Sequence, residues 1–201
     1  MKNIITNKKS LVFATHNQNK VDEIKDYIPK NINLLSLNDI GHKKEIEESG
    51  KSFYENASIK ASYIYNKYNV SCFSDDSGLE VDYLSGRPGI YSARYAGKPY
   101  DNQKNIDYLL NEMGESKFRS ANFKTYIVLI HNSHEEIFEG KVNGEILFKR
   151  KGSDGFGYDS IFLPVGLKKS FAELSLSEKN KISHRGIATR KLVKYLNDNF
   201  N

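Results

Sequence analysis

Apolar positions recur along the chain with two different periods, and the changes of period fall at turn-forming residues. Leu11-Val-Phe-Ala-Thr15 is an apolar run broken by His16-Asn-Gln-Asn19, after which Val21, Ile24 and Ile28 fall at helical spacing as far as Pro29. This predicts strand, loop and helix, and Ile32 to Leu37 predicts a second strand. Ser52 and Glu55 have capping-box spacing, and Phe53, Ala57, Ala61, Ile64 and Tyr68 follow at steps of three or four, so an amphipathic helix of about four turns is expected. Val70 to Ser74 predicts a buried strand ending at Asp75-Asp76-Ser77-Gly78. Gly86-Arg-Pro-Gly89 predicts a turn, Asn102 to Met113 a helix, Phe123 to His131 a strand and Asn143-Gly144 a hairpin. Gly152 to Gly157 predicts a loop, Ile161 to Leu163 a short strand before Pro164, and the segment from Ser183 a helix with Ala188, Leu192 and Leu196 four apart. Helices and strands alternate early and strands cluster in the middle, which predicts an α/β fold with a mixed sheet.

Length sharpens this picture: 201 residues, against roughly 150 for a typical domain, predict one domain over 1–201. A hydrophobic share of 38%, with 13 Tyr and 11 Phe, excludes a disordered chain. Cys72 is the sole cysteine, which excludes an internal disulfide and a Cys-rich zinc site and makes a reducing cytoplasm the expected setting. No stretch approaches the ~18 apolar residues of a membrane span, and the first residues lack the apolar core of an export signal, so no membrane partner is expected. The net charge of +5 is scattered, with no basic block longer than Lys149-Arg150-Lys151, so anionic small molecules suit it as well as nucleic acid does.

Five groups of residues carry candidate chemistry, and each has a plain structural alternative. Thr15-His16-Asn17-Gln18-Asn19-Lys20 joins a strand to a helix N-terminus, where N–H groups, the helix dipole and Lys20 favour a phosphate; the alternative is an ordinary capped connection. Glu47, Glu48, Asp75 and Asp76 are carboxylates of the kind that bind Mg²⁺ beside substrate phosphates; the alternative is a solvated acidic run and an Asx-turn. Because strand side chains alternate, one aspartate can hold metal while the other braces the turn or activates water. Lys60, one turn after Asn56, is either a phosphate clamp or a lysine snorkelling over the core. In Gly155-Phe156-Gly157-Tyr158-Asp159, Phe156 is free to stack on a planar base with Asp159 accepting from ring N–H groups, or else it tucks into the core. Lys179 with Ser183-His184-Arg185 is a cationic set at a helix entrance, with Ser183 as N-cap. Positive charge there opposes the dipole unless an anion or a carbonyl-rich base compensates; otherwise His184 and Arg185 are solvated surface residues.

Taken together, six segments in order resemble the inosine/xanthosine triphosphate pyrophosphatase family, the Ham1-like nucleotidases. They are Ala14-Thr-His-Asn-Gln-Asn-Lys20, Glu47-Glu-Ser-Gly-Lys-Ser-Phe-Tyr-Glu-Asn-Ala-Ser-Ile-Lys-Ala61, Ser74-Asp-Asp-Ser-Gly-Leu79, Gly86-Arg-Pro-Gly-Ile-Tyr-Ser-Ala-Arg-Tyr95, Gly155-Phe-Gly-Tyr-Asp159 and Glu178-Lys-Asn-Lys-Ile-Ser-His-Arg185. The resemblance implies hydrolysis of ITP, dITP, XTP and dXTP to monophosphate and pyrophosphate. It implies that Thr15, Asn17 and Lys20 bind the triphosphate, with His16, Gln18 and Asn19 in the same loop, and that Glu48 and Asp76 bind Mg²⁺. Asp76 is also the expected base for the attacking water. Ser77 and Lys60 are expected to line the phosphate path, Phe156 to stack on the purine within a loop shared with Gly157 and Tyr158, and Asp159, Lys179, His184 and Arg185 to read the base edge. The implied fold is a single long, curved mixed β-sheet with surrounding helices, in two lobes with the nucleotide cleft between them, usually as a homodimer. Two departures stand out: His16 where the family often has Gly or Asn, and Ser160 where Pro commonly follows Gly-Tyr-Asp. The competing readings are a non-catalytic nucleotide or RNA binder, disfavoured because basic residues form no stripe interleaved with aromatics, and a pyrophosphatase for another modified nucleotide such as a damaged pyrimidine triphosphate.

Overall fold

The computed structural model describes residues 10–199. Among the described residues, six strands, β1 (Ser10–Phe13), β2 (Asn33–Ser36), β3 (Cys72–Val81), β4 (Ser120–His131), β5 (His134–Ile146) and β6 (Phe162–Pro164), accompany five α-helices. The helices are α1 (Gln18–Ile24), α2 (Phe53–Tyr68), α3 (Asn102–Met113), α4 (Leu176–Ile182) and α5 (His184–Asn199), and short 3-10 turns fill several connections. The hydrogen-bonded strand order is β2-β1-β3-β4-β5-β6. β1 pairs parallel with both β2 and β3, whereas β5 pairs antiparallel with β6, so the sheet is mixed.

The described residues divide into two compact units, one made of the segment up to Asp76, Tyr126–Glu139 and the segment from Ala188, the other of Ser77–Thr125 and Gly140–Ile187. In the first, Leu11, Phe13 and Phe73 pack with Ala188, Leu192 and Leu196 of α5, and the rings of Phe13 and Phe73 stack 4.4 Å apart. Val12 and Cys72, pointing the other way, pack with Leu35 and Ile64. Burial on both faces is the reason β1 reads as a continuous apolar run rather than an alternating one. In the second unit, Leu79, Val81, Phe123, Phe162 and Phe171 pack with Ile106, Leu109 and Met113 of α3.

Several expectations are corrected. β3 does not end at Asp75-Asp76-Ser77-Gly78 but runs through it to Val81, which removes the Asx-turn reading and puts both aspartates on a strand. Asn143-Gly144 is not a hairpin turn; it lies inside β5, and the β4–β5 reversal is made by Asn132 and Ser133, both at positive φ. Gly144 pairs with Pro164, and a Cβ there would fall 2.5 Å from the Leu163 carbonyl oxygen, so its glycine serves close strand approach. The first helix stops at Ile24, short of Pro29, and α4 was not anticipated.

Candidate active site

In the first unit, the loop Thr15–Lys20 largely shapes itself. Thr15 Oγ1 accepts from the Asn17 N–H (3.1 Å) and Asn17 Oδ1 from the Asn19 N–H (3.0 Å), so two of its N–H groups are engaged internally. Gln18 donates to Asp22 (3.2 Å), and His16 is exposed with Nδ1 3.1 Å from Asn38 Oδ1. α1 has only seven residues, so its dipole adds little and the positive charge of this region resides in Lys20. Lys20 Nζ lies 2.8 Å from Oδ1 of Asp75, which is 1% exposed.

Alternation along β3 sends the neighbouring Asp76 elsewhere. Its Oδ2 accepts from Asn56 Nδ2 (3.0 Å), and its Oδ1 lies 3.8 Å from Lys60 Nζ. The Lys60 ammonium is buried, not snorkelled: it donates to Glu48 Oε1 (2.8 Å) and to the Asp75 backbone oxygen (2.7 Å). α2 presents Asn56 and Lys60 one turn apart on its buried face because Ser52 sets the start of the helix, its Oγ accepting from the Glu55 N–H (3.1 Å). The capping box is displaced by one residue, since the Glu55 carboxylate accepts from the Lys51 N–H (2.6 Å). Burial pushes the Asp76 carboxyl above the usual carboxylate range against the pull of Lys60 and Lys20. Burial also works against the Lys60 charge, but Asp76, Glu48 and Asp75 outweigh it and hold the ammonium above its ordinary value.

Among the described residues, no three His, Cys, Asp or Glu side chains form a metal cage. Glu48 and Asp76, two hard carboxylates brought to a common ammonium, fit a cation that takes one or two carboxylates and completes its shell with water and phosphate oxygens, as Mg²⁺ does.

In the second unit, the Gly155–Asp159 loop folds around its own carboxylate. Asp159 Oδ2 accepts from the Phe156 N–H (2.9 Å) and from Lys179 Nζ (2.6 Å). Gly155 has φ +76, and a Cβ there would fall 2.2 Å from Asp159 Oδ2, so only glycine fits. Phe156 is half-buried rather than tucked into the core, with the Lys179 ammonium 4.9 Å and the Arg185 guanidinium 5.7 Å from its ring centre. Tyr158 is buried and donates to the Ser92 oxygen (3.0 Å), anchoring the loop beyond Gly157. Ser160, the departure from the family pattern, sits in the following 3-10 turn and accepts from the Lys151 N–H through its backbone oxygen (2.7 Å).

The cationic set is not solvated. Lys179, His184 and Arg185 are 3%, 4% and 2% exposed. His184 stacks on Phe123 at 4.8 Å, and Arg185 donates to Ser77 Oγ (2.7 Å). Ser183 Oγ accepts from the Gly186 N–H (3.1 Å), as an N-cap should. Gly186 lets α5 start against the end of α4, since a Cβ there would fall 1.8 Å from the Asn180 oxygen.

One participant was missed from sequence. Asn56 reads as an ordinary polar helix residue, and only tertiary structure brings it to Asp76; Asp75, named among the candidate carboxylates, is met by Lys20.

Carboxylates meet a buried lysine in one unit, and in the other the half-buried Phe156 ring lies beside two cations. The chain belongs to the Ham1 family, whose profile matches residues 11–195. It is similar to the dITP/XTP pyrophosphatase of Christiangramia forsetii (54% identity, 92% of this chain and 98% of that protein) and to that of Porphyromonas gingivalis (40%, 94% and 97%). Among solved structures, it resembles the Staphylococcus aureus Ham1 protein (TM-score 0.87, 38% identity, 94% of this chain and 99% of that one) and a HAM1 protein from Coxiella burnetii (TM-score 0.87, 34% identity, 94% and 98%).

Proposed function

We propose that the protein is a dITP/XTP pyrophosphatase, hydrolysing ITP, dITP, XTP and dXTP to the monophosphate and pyrophosphate. The observation that carries this reading is the meeting of Glu48, Asp76 and the Lys60 ammonium beside Asn56, in a chain whose relatives with that activity match it nearly end to end. Lys20 and Lys60 neutralise phosphate charge, and Thr15 and Asn17 shape the loop that receives it. Glu48 and Asp76 would hold Mg²⁺, which when bound supplies charge neutralisation on the phosphate oxygens. Asp76 takes a proton from the water that attacks the α-phosphorus; the bond to the bridging oxygen breaks and pyrophosphate leaves with that electron pair.

Phe156 stacks on the purine. Arg185 donates to the 6-keto oxygen, where adenine would present a donor instead, while Lys179 and His184 line the same edge. Asp159, with Oδ2 on Phe156 N–H and Lys179, serves first to hold the loop and the lysine in place. The same reading takes 1–201 as a single two-lobed domain that acts as a cytoplasmic homodimer on free nucleotides, with neither nucleic acid nor membrane as partner. Among the described residues, no helix is long and apolar enough to cross a membrane.

The test incubates the protein with ITP, XTP, GTP, ATP and a pyrimidine triphosphate, with and without Mg²⁺, and resolves the products chromatographically. Mg²⁺-dependent IMP and pyrophosphate with ATP spared is the expected result; no hydrolysis of any triphosphate would mean a scaffold used for binding. Asp76→Asn is expected to lower turnover at least ~100-fold with the fold intact.

A further inference from the structure

Asparagine is a poor residue for a helix interior, yet Asn56 stands in α2 with 0% of its surface exposed. Both ends of its amide are engaged, each with a different segment. Oδ1 accepts from the Gly50 N–H (2.9 Å), and Nδ2 donates to Asp76 Oδ2 (3.0 Å). The orientation is set by chemistry, because a backbone N–H can only donate and an ionised carboxylate can only accept. Gly50 lies two residues beyond Glu48, and a Cβ at Gly50 would fall 2.7 Å from Asn56 Oδ1, so this stretch sits directly against the amide. Lys60, one turn further along α2, repeats the pattern by joining Glu48 to the Asp75 backbone oxygen.

We propose that Asn56 is a positioning residue for the hydrolytic reaction: its amide fixes the rotation of the Asp76 carboxylate, presenting Oδ1 on the Lys60 side, and holds the Glu48 segment in register with it. This rests on the role of Asp76 proposed above. Asn56 touches neither water nor phosphate in this scheme and acts through Asp76. An amide is the side chain that serves both contacts, since no carboxylate or hydrocarbon of that length offers an acceptor to Gly50 and a permanent donor to Asp76.

Asn56→Asp separates the two bonds. It is nearly isosteric and keeps an acceptor for the Gly50 N–H, but it faces Asp76 Oδ2 with a second acceptor. The expected result is a kcat for ITP lowered about 100-fold with KM within about threefold of the parent, the pattern of lost alignment rather than lost substrate binding. Turnover equal to the parent would reduce Asn56 to a tether for Gly50 and overturn the inference. Asn56→Ala removes both bonds, and nucleotide-free protein titrated with Mn²⁺ and read by electron paramagnetic resonance is expected to bind the ion about tenfold more weakly. Unchanged Mn²⁺ affinity would overturn the claim on Glu48 register. Should Asn56→Ala fail to fold, Asn56→Asp decides alone. A parent protein inactive on every purine triphosphate would defeat the proposed function, whereas an active parent with an equally active Asn56→Asp variant defeats only this inference.

Discussion

Cys72 faces the helix that carries the candidate site, its Sγ donating to the Ala61 oxygen (3.2 Å), and burial pushes its thiol up to about 12. A thiol so placed supplies almost no thiolate at neutral pH. A disulfide reagent such as Ellman's is expected to leave the native protein unlabelled and to react once urea unfolds it; fast labelling without urea would contradict the packing of Val12, Ile64 and Cys72. Arg185 makes a different prediction. Its guanidinium is held by Ser77 over the Phe156 ring, so Arg185→Ala is expected to cut the preference for ITP over ATP by at least about tenfold in kcat/KM, and full retention would remove it from base selection. At this scale the sequence was legible for residues whose chemistry is unusual in place, such as paired aspartates after an apolar strand or a phenylalanine between glycines. Asn56 was not legible, because a polar residue on an amphipathic helix normally faces water and only the arrival of Asp76 and Gly50 makes it a link.

Element boundaries followed local signals where local signals were strong. α3 begins and ends where its periodicity does, with Asp101 accepting from the N–H groups of Gln103 and Lys104. β3 outran its apolar run because Lys20, Lys60 and Asn56 compensate buried carboxylates that local composition assigns to a turn. Asn-Gly misled for the opposite reason: the small residue served a neighbouring strand rather than a reversal. Ser52→Ala should cost α2 about 1 kcal/mol and lower the melting temperature by about 2–4 °C, measurable by calorimetry. Gly186→Ala should act on function more than on that scale suggests. Its methyl would push the start of α5 from the end of α4, separating Lys179 from Arg185, and KM for ITP is expected to rise severalfold; an unchanged KM would show that the junction has slack.

For the molecule as a whole, His42 sets a pH dependence of stability. It is buried against Tyr63 and Tyr68, with Nδ1 2.8 Å from the Tyr68 hydroxyl. Burial, then Lys67 and His16, hold its pKa below the ordinary value of 6.5. The unfolded chain therefore takes up the proton first, so the stability contributed by neutral His42 is fully present above about 6.5 and is lost as pH falls through that value toward the lower folded one. Urea midpoints should fall between pH 7.5 and 5.5, and less steeply in His42→Phe; identical slopes would assign the dependence to other groups. The division of the chain into interleaved segments also bears on its synthesis. Ala188, Leu192 and Leu196 pack in the same core as Leu11 and Phe13, so β1 leaves the ribosome well before the helix that completes its packing. A chain released before residue 188 keeps Lys20, Glu48, Lys60, Asp75 and Asp76 but lacks one wall of the core in their own unit. Quality control would therefore meet it as an unfinished protein, not as a slow enzyme.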